Sequence, residues 1–166
     1  VLGLCGGYQM LGRRIADPLG LEGPSGDVAG LGLLPIETVM RPAKTVRIAA
    51  VVELATGEPV TGYEIHLGET TLLPGARPML RVRGGDGHER PDGAVSADGR
   101  VMGCYLHGLL AADGFRRALL ERLRAGTASA LSYEAGGEAS RVALAEHLER
   151  HLDLERLLTV ARRRGA

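Results

Sequence analysis

The chain opens on an apolar run, Val1-Leu2-Gly3-Leu4, that stops abruptly at Cys5-Gly6-Gly7. Tyr8, Met10, Leu11 and Ile15 then recur at helical spacing until Asp17-Pro18 ends the run, which predicts a strand, a sharp turn and a short helix. Glycine is dense over residues 19–32, with Pro24 among them, and predicts loop. β-branched and apolar content predicts strands over 45–54 (TVRIAAVVEL), 62–67 (GYEIHL) and 79–83. Residues 84–99 read as a polar loop with two Asp-Gly steps, Asp86-Gly87 and Asp92-Gly93, and 100–106 (RVMGCYL) as a strand running into His107-Gly108. Phe115, Leu119, Leu120 and Leu123 then share one helical face behind a capping residue, Asp113. Residues 129–137 read as a small, polar stretch, and 141–164 as helix, with Val142, Leu144, Leu148, Leu152, Leu157, Leu158 and Val160 at its apolar positions. Strands precede helices at both ends, so the class expected is α/β with a partly antiparallel middle.

Composition narrows the classes further. With 166 residues, 45% apolar and 24% charged, the chain has the make-up of one ordinary globular domain. Twenty basic residues balance twenty acidic ones, so no long-range basic field is available and nucleic acid or an anionic membrane is not expected as the main partner. No apolar run approaches the roughly 20 residues of a bilayer span, and the N-terminus has no export pattern. A cytoplasmic setting is expected. Two cysteines cannot build a multi-bridge scaffold, which leaves free thiols or a nucleophile.

Gly3-Leu4-Cys5-Gly6-Gly7 fits the G-x-nucleophile-x-G form of a nucleophile elbow. Such an elbow holds its nucleophile on a strained turn between strand and helix, where the free N–H groups of the helix start favour thiolate. The N–H of Gly6, next after the thiol, is a natural oxyanion donor. Taken alone, these five residues also fit a buried cysteine in a glycine-rich turn. Among five histidines, His107 stands out because it ends an apolar strand, where α/β enzymes place catalytic groups; a capped core histidine is the alternative. His88 sits in a polar loop. His147 and His151 are four apart amid alternating charges, which marks a solvated helix face, and no third ligand stands at metal spacing. No metal is expected.

At this point a resemblance becomes specific. GLCGGYQMLG over 3–12 resembles the nucleophile region of class I glutamine amidotransferase domains. DPLGLEG (17–23), GLGLLPIET (30–38), GYEIHLGET (62–70) and GCYLHGLL (103–110) follow the pattern of the cobyric acid synthase family, in order, from the first residue to about Leu123. The resemblance implies a flavodoxin-like, three-layer α/β sandwich. It implies that Cys5 attacks the side-chain amide of glutamine, giving a γ-glutamyl thioester and ammonia, with His107 as the base. Gly6 matches an oxyanion donor and Gln9 a residue of the elbow helix that is structural or orients substrate. Tyr63, Glu64 and His66 match the family's GYEIH signature, near the mouth of the glutamine site or at a contact with the synthetase domain; a strand-end hydrogen-bond network is the alternative. Two positions depart from the wider pattern. Leu109 stands where many class I domains carry a glutamate, so a Cys–His dyad is implied, and Cys104 stands where a hydroxyl residue such as threonine is expected.

By the same resemblance, residues 1–166 are the C-terminal part of an amidotransferase domain whose N-terminal strands are missing from this chain. An ATP-dependent synthetase domain is expected upstream, with ATP and Mg bound there and no cofactor here; no G-x-x-x-x-G-K-[ST] run occurs in the 166 residues. The partners implied are glutamine and, through that other domain, a corrinoid acceptor, adenosylcobyrinic acid a,c-diamide; an exposed strand edge would also permit a homo-oligomer. Two alternatives stand beside this reading. One is an amidotransferase subunit acting on cell-wall lipid precursors, which shares the GLCGGYQ elbow; GYEIH and DPLGLEG favour the cobalamin side. The other is a non-catalytic interaction domain, against which the presence of both Cys5 and His107 counts.

Overall fold

A computed structural model describes residues 1–83, 88–127 and 130–163. Contacts divide the chain into two units, Val1–Ala128 and Ser129–Ala166. In the first, β1 (Leu2–Leu4) leads through Cys5 into α1 (Gly6–Leu11). That helix ends before Ile15, because Arg14 to Asp17 form β2 (Arg14–Asp17) between two neighbours. β2 pairs antiparallel with β3 (Gly26–Ala29) and parallel with β4 (Ile36–Glu53). Part of the glycine-rich 19–32 stretch is therefore strand: a ready partner overrides local turn chemistry.

β4 is 18 residues long and forms a hairpin with β5 (Pro59–Leu72). Its register changes between Met40↔Gly68 and Thr45↔His66. The expected strands 45–54 and 62–67 lie in the half of this hairpin next to its turn. β6 (Leu80–Arg83) adds to β4, and β7 (Glu89–Asp92) to β6. With β8 (Ala94–Val95), two short strands thus lie in the 84–99 stretch read as loop; its Asp86-Gly87 step lies outside the described residues.

The single strand expected over 100–106 is two. β9 (Met102–Cys104) runs parallel to β1 and antiparallel to β8, making a three-stranded sheet β1-β9-β8. After Tyr105, β10 (Leu106–His107) pairs instead with β5, at one edge of the seven-stranded sheet β10-β5-β4-β2-β3 from which β6 and β7 branch. One apolar cluster gathers Val51, Val60, Leu80, Cys104, Leu106, Leu109 and Phe115; a second gathers Tyr8, Leu11, Leu34, Ile36 and Tyr105. Burial of each such large side chain contributes about 1.5–3 kcal/mol, which fixes α1 and β10 in place. α2 (Asp113–Leu123) supplies Phe115. Asp113 is its first helical residue and pairs with Arg116 at 2.6 Å, with no side-chain cap before it.

The second unit holds α3 (Tyr133–His151) and α4 (Leu154–Arg163). α3 begins inside the stretch read as polar loop, because the Ser132 hydroxyl accepts from the Ala135 N–H at 3.3 Å and caps it. The helix expected over 141–164 is broken at Leu152-Asp153; Ser129 and Arg164 lie outside the described residues. Among the described residues, no helix is long and apolar enough to cross a membrane. The class is α/β, as expected.

Candidate active site

Cys5 has φ 53° and ψ −116°, and among the described residues it is the only non-glycine with positive φ. Such a conformation costs of order 1–3 kcal/mol and persists only where its surroundings impose it. Here the Cys5 N–H donates to the Cys104 carbonyl at 3.0 Å, and its own carbonyl accepts from Tyr8 and Gln9 at 3.0 and 3.2 Å. Gly3 lets the turn close: a Cβ there would lie 2.6 Å from Leu11 Cδ1 and 2.7 Å from the Gly7 carbonyl oxygen. Only glycine allows α1 to fold back this closely on β1. Gly6 is exposed at the first position of α1, where the backbone N–H has no intrahelical acceptor.

The half-buried Cys5 thiol donates to the Ile65 carbonyl of β5 at 3.5 Å. Two residues earlier on the same strand, Tyr63 stands directly across from His107. The two rings lie flat on each other, centroids 4.9 Å apart and planes 7° apart. β10 approaches β5 so closely here that a Cβ on Gly62 would overlap the His107 carbonyl oxygen. His107 Nε2 is buried without a hydrogen-bond partner among the described residues. Leu109, in the place of a triad carboxylate, is fully buried in the apolar core. Thiol and imidazole thus both meet β5 over Tyr63 to Ile65, one from each sheet.

The remaining candidates form two inner groups, Gln9 and His66 in a network around Tyr105 and Glu64 between two arginines. Strand alternation puts Glu64 and His66 on the opposite face of β5 from Tyr63. Buried Gln9 donates through Nε2 to the Tyr105 hydroxyl at 3.2 Å; that hydroxyl bonds Thr70 at 2.6 Å, and Thr70 bonds Thr38 at 2.7 Å. The His66 ring stacks on Tyr105 at 3.7 Å and its Nδ1 bonds the Gly68 carbonyl at 2.7 Å. Glu64 is 1% exposed between Arg47 and Arg90, the latter reaching both carboxylate oxygens at 3.0 and 3.1 Å. Burial alone would push the Glu64 carboxyl up, but the two guanidiniums outweigh it and hold it below the ordinary glutamate range. Burial, then the Glu64 charge, push the nearby Asp92 carboxyl up, and Arg90 offsets only part of this.

Cys104 is fully buried in the core, its Sγ 4.0 Å from the Leu106 carbonyl, and burial pushes its thiol up to about 12. His147 and His151 come together on α3, ring centroids 4.4 Å apart, and among the described residues no group of three or more metal-ligating side chains forms. Sequence reasoning missed Tyr105, Arg47, Arg90 and the Ile65 carbonyl. Only the Arg47↔Glu64 cross-strand pairing left a trace, legible once the register is known.

Residues 1–115 match the CobB/CobQ-like glutamine amidotransferase domain family. The chain is 56% identical to a cobyric acid synthase of Cereibacter sphaeroides, over 98% of this chain and 32% of that protein. It is 56% identical to one of Methylobacterium nodulans, over 97% and 32%, and 51% identical to one of Bradyrhizobium diazoefficiens, over 98% and 32%. The chain thus spans about a third of the length of these curated relatives. A solved glutamine amidotransferase superposes with a TM-score of 0.46 at 17% identity, over 74% of this chain and 59% of the other.

Proposed function

We propose, from the premise that this chain belongs to the CobB/CobQ-like glutamine amidotransferase family, that it hydrolyses glutamine by a Cys5–His107 dyad. The observation that carries this reading is the left-handed backbone of Cys5, a strain for which a buried structural cysteine has no use. The thiol attacks the side-chain amide carbon while His107 takes its proton, and the Gly6 N–H stabilises the oxyanion. His107 returns the proton to the departing ammonia. The γ-glutamyl thioester is then cleaved by water that His107 deprotonates, giving glutamate and the free thiol. A thiol tolerates the missing triad carboxylate because it is intrinsically the strongest of the common nucleophiles. Gln9 and His66 support this site through the Tyr105 network, and Glu64 through its ion pairs with Arg47 and Arg90.

The relatives' shared name extends the reading: the ammonia amidates carboxylates of a corrinoid, adenosylcobyrinic acid a,c-diamide. Activation of those carboxylates, with ATP and Mg, belongs to the two-thirds of the relatives' length that this chain does not span. A cytoplasmic setting, where thiols stay reduced, suits this chemistry. In the intact protein, Cys5→Ser is expected to abolish glutamine-dependent amidation and leave ammonia-dependent amidation in place. Loss of both activities would overturn this division of labour.

A further inference from the structure

The geometry points to Tyr63 as the positioning residue for His107, an aromatic clamp standing in for the carboxylate that orients the base of a catalytic triad. The inference rests on the Cys5–His107 reading above. A general base works faster when a third group fixes its ring, because an imidazole on a free side chain spends much of its time in orientations that miss the nucleophile's proton. Here the position two residues after the base is Leu109, fully buried in the apolar core, and among the described residues the ring's Nε2 has no hydrogen-bond partner. What does hold it is the Tyr63 ring. Planes only 7° apart with centroids 4.9 Å apart describe an offset stack, one of the favoured aromatic geometries.

The backbone enforces the stack. Tyr63 and His107 are directly opposite in the antiparallel β5–β10 pair, so both side chains leave on the same face. The glycine before Tyr63 allows β10 to lie against β5 with no intervening Cβ. Tyr63 also sits two residues from Ile65, whose carbonyl receives the Cys5 thiol, so one stretch of strand sets the places of both reacting groups. Tyr63 is itself 50% exposed. A residue half in solvent contributes little to the core, so its loss should reach the rate before it reaches the fold.

The test is steady-state glutamine hydrolysis by the intact protein carrying Tyr63→Phe, Tyr63→Leu or Tyr63→Ala, with His107→Ala as reference and thermal unfolding as the check on folding. The expected result is that Phe keeps kcat within about twofold, while Leu and Ala lower it about tenfold with KM within twofold, the signature of lost transition-state alignment. Four results would overturn the proposal. If Leu matches Phe, apolar bulk and not the ring is what matters. If Phe is as poor as Ala, the hydroxyl acts directly; if KM rises while kcat holds, Tyr63 binds glutamine. Unchanged turnover in all three variants would also sink it. If Tyr63→Ala fails to fold, the comparison of Phe with Leu decides alone. Turnover that survives His107→Ala is a separate failure, that of the dyad itself.

Discussion

Gly62→Ala isolates how much the chemistry depends on the fit between β5 and β10. The new Cβ would overlap the His107 carbonyl oxygen and stand 3.1 Å from both Cγ and Cδ1 of Leu106. The first obstacle is backbone, so no rotamer change relieves it. Restoring an ordinary C···O contact of about 3.3 Å requires β10 to retreat by roughly an ångström. Leu106 anchors that strand in the core, and overpacking of this kind costs about 2 kcal/mol, or a fall of about 8 °C in Tm for a unit of this size. Displacement of a reacting group by about 1 Å costs about 100-fold in rate. The intact variant is therefore expected to fold, to unfold several degrees early, and to hydrolyse glutamine about 100-fold more slowly at 25 °C, where wild type and variant are both folded. Ammonia release coupled to glutamate detection reads the rate, and circular dichroism the midpoint. Turnover within threefold of wild type would refute the claim that the β5–β10 spacing aligns the base.

Two further outcomes follow from the thiols and the buried carboxylates. A diazoketone analogue of glutamine, with iodoacetamide as the accessibility control, should modify Cys5 alone at pH 8, since burial holds the Cys104 thiol near 12; equal labelling of both by peptide mass mapping would show that the core around Cys104 is not closed. Glu64→Gln should lower unfolding free energy at pH 7 by about 2 kcal/mol, because charge-assisted bonds to Arg47 and Arg90 are lost while those half-exposed arginines regain water. The Glu64 carboxyl lies below its unfolded value in the folded protein, so its contribution is complete above about pH 4.3 and fades as the pH falls through the lower folded value. The gap between variant and wild type in urea melts should close below that pH; a constant gap from pH 7 to 3 would contradict the ion pairing.

The parts of this molecule legible in its residues are those whose chemistry is local. Gly3, Cys5 and the apolar run before them determine an elbow within five residues, since the close approach of α1 admits no side chain at Gly3. Phe115 and Leu119 announce α2 in the same way. What escaped reading depends on partners far along the chain. β3 lies in a glycine-rich stretch and owes its existence to β2. The break at Tyr105 has no turn residue to mark it, because it arises where one strand leaves β1 for β5. Glu64 reads as a signature residue, but its burial between Arg47 and Arg90 depends on strands β4 and β7. The start of α3 did carry a signal, Ser132 with Glu134 in the first turn, which Gly136-Gly137 obscured.

The passage through Tyr105 has a mechanical consequence. Cys5 is mounted on the three-stranded sheet and His107 on the seven-stranded one, and the chain crosses from β9 to β10 at that single residue. The placement of thiol against imidazole therefore depends on how the two sheets pack, through the β9, β4, β5 and β6 side chains that share one core, and not on either sheet alone. A substitution in that shared core would shift Cys5 against His107 without touching either. Tyr105 is held by Gln9, Thr70 and the His66 ring, so the inner network ties the two sheets together where the chain passes from one to the other.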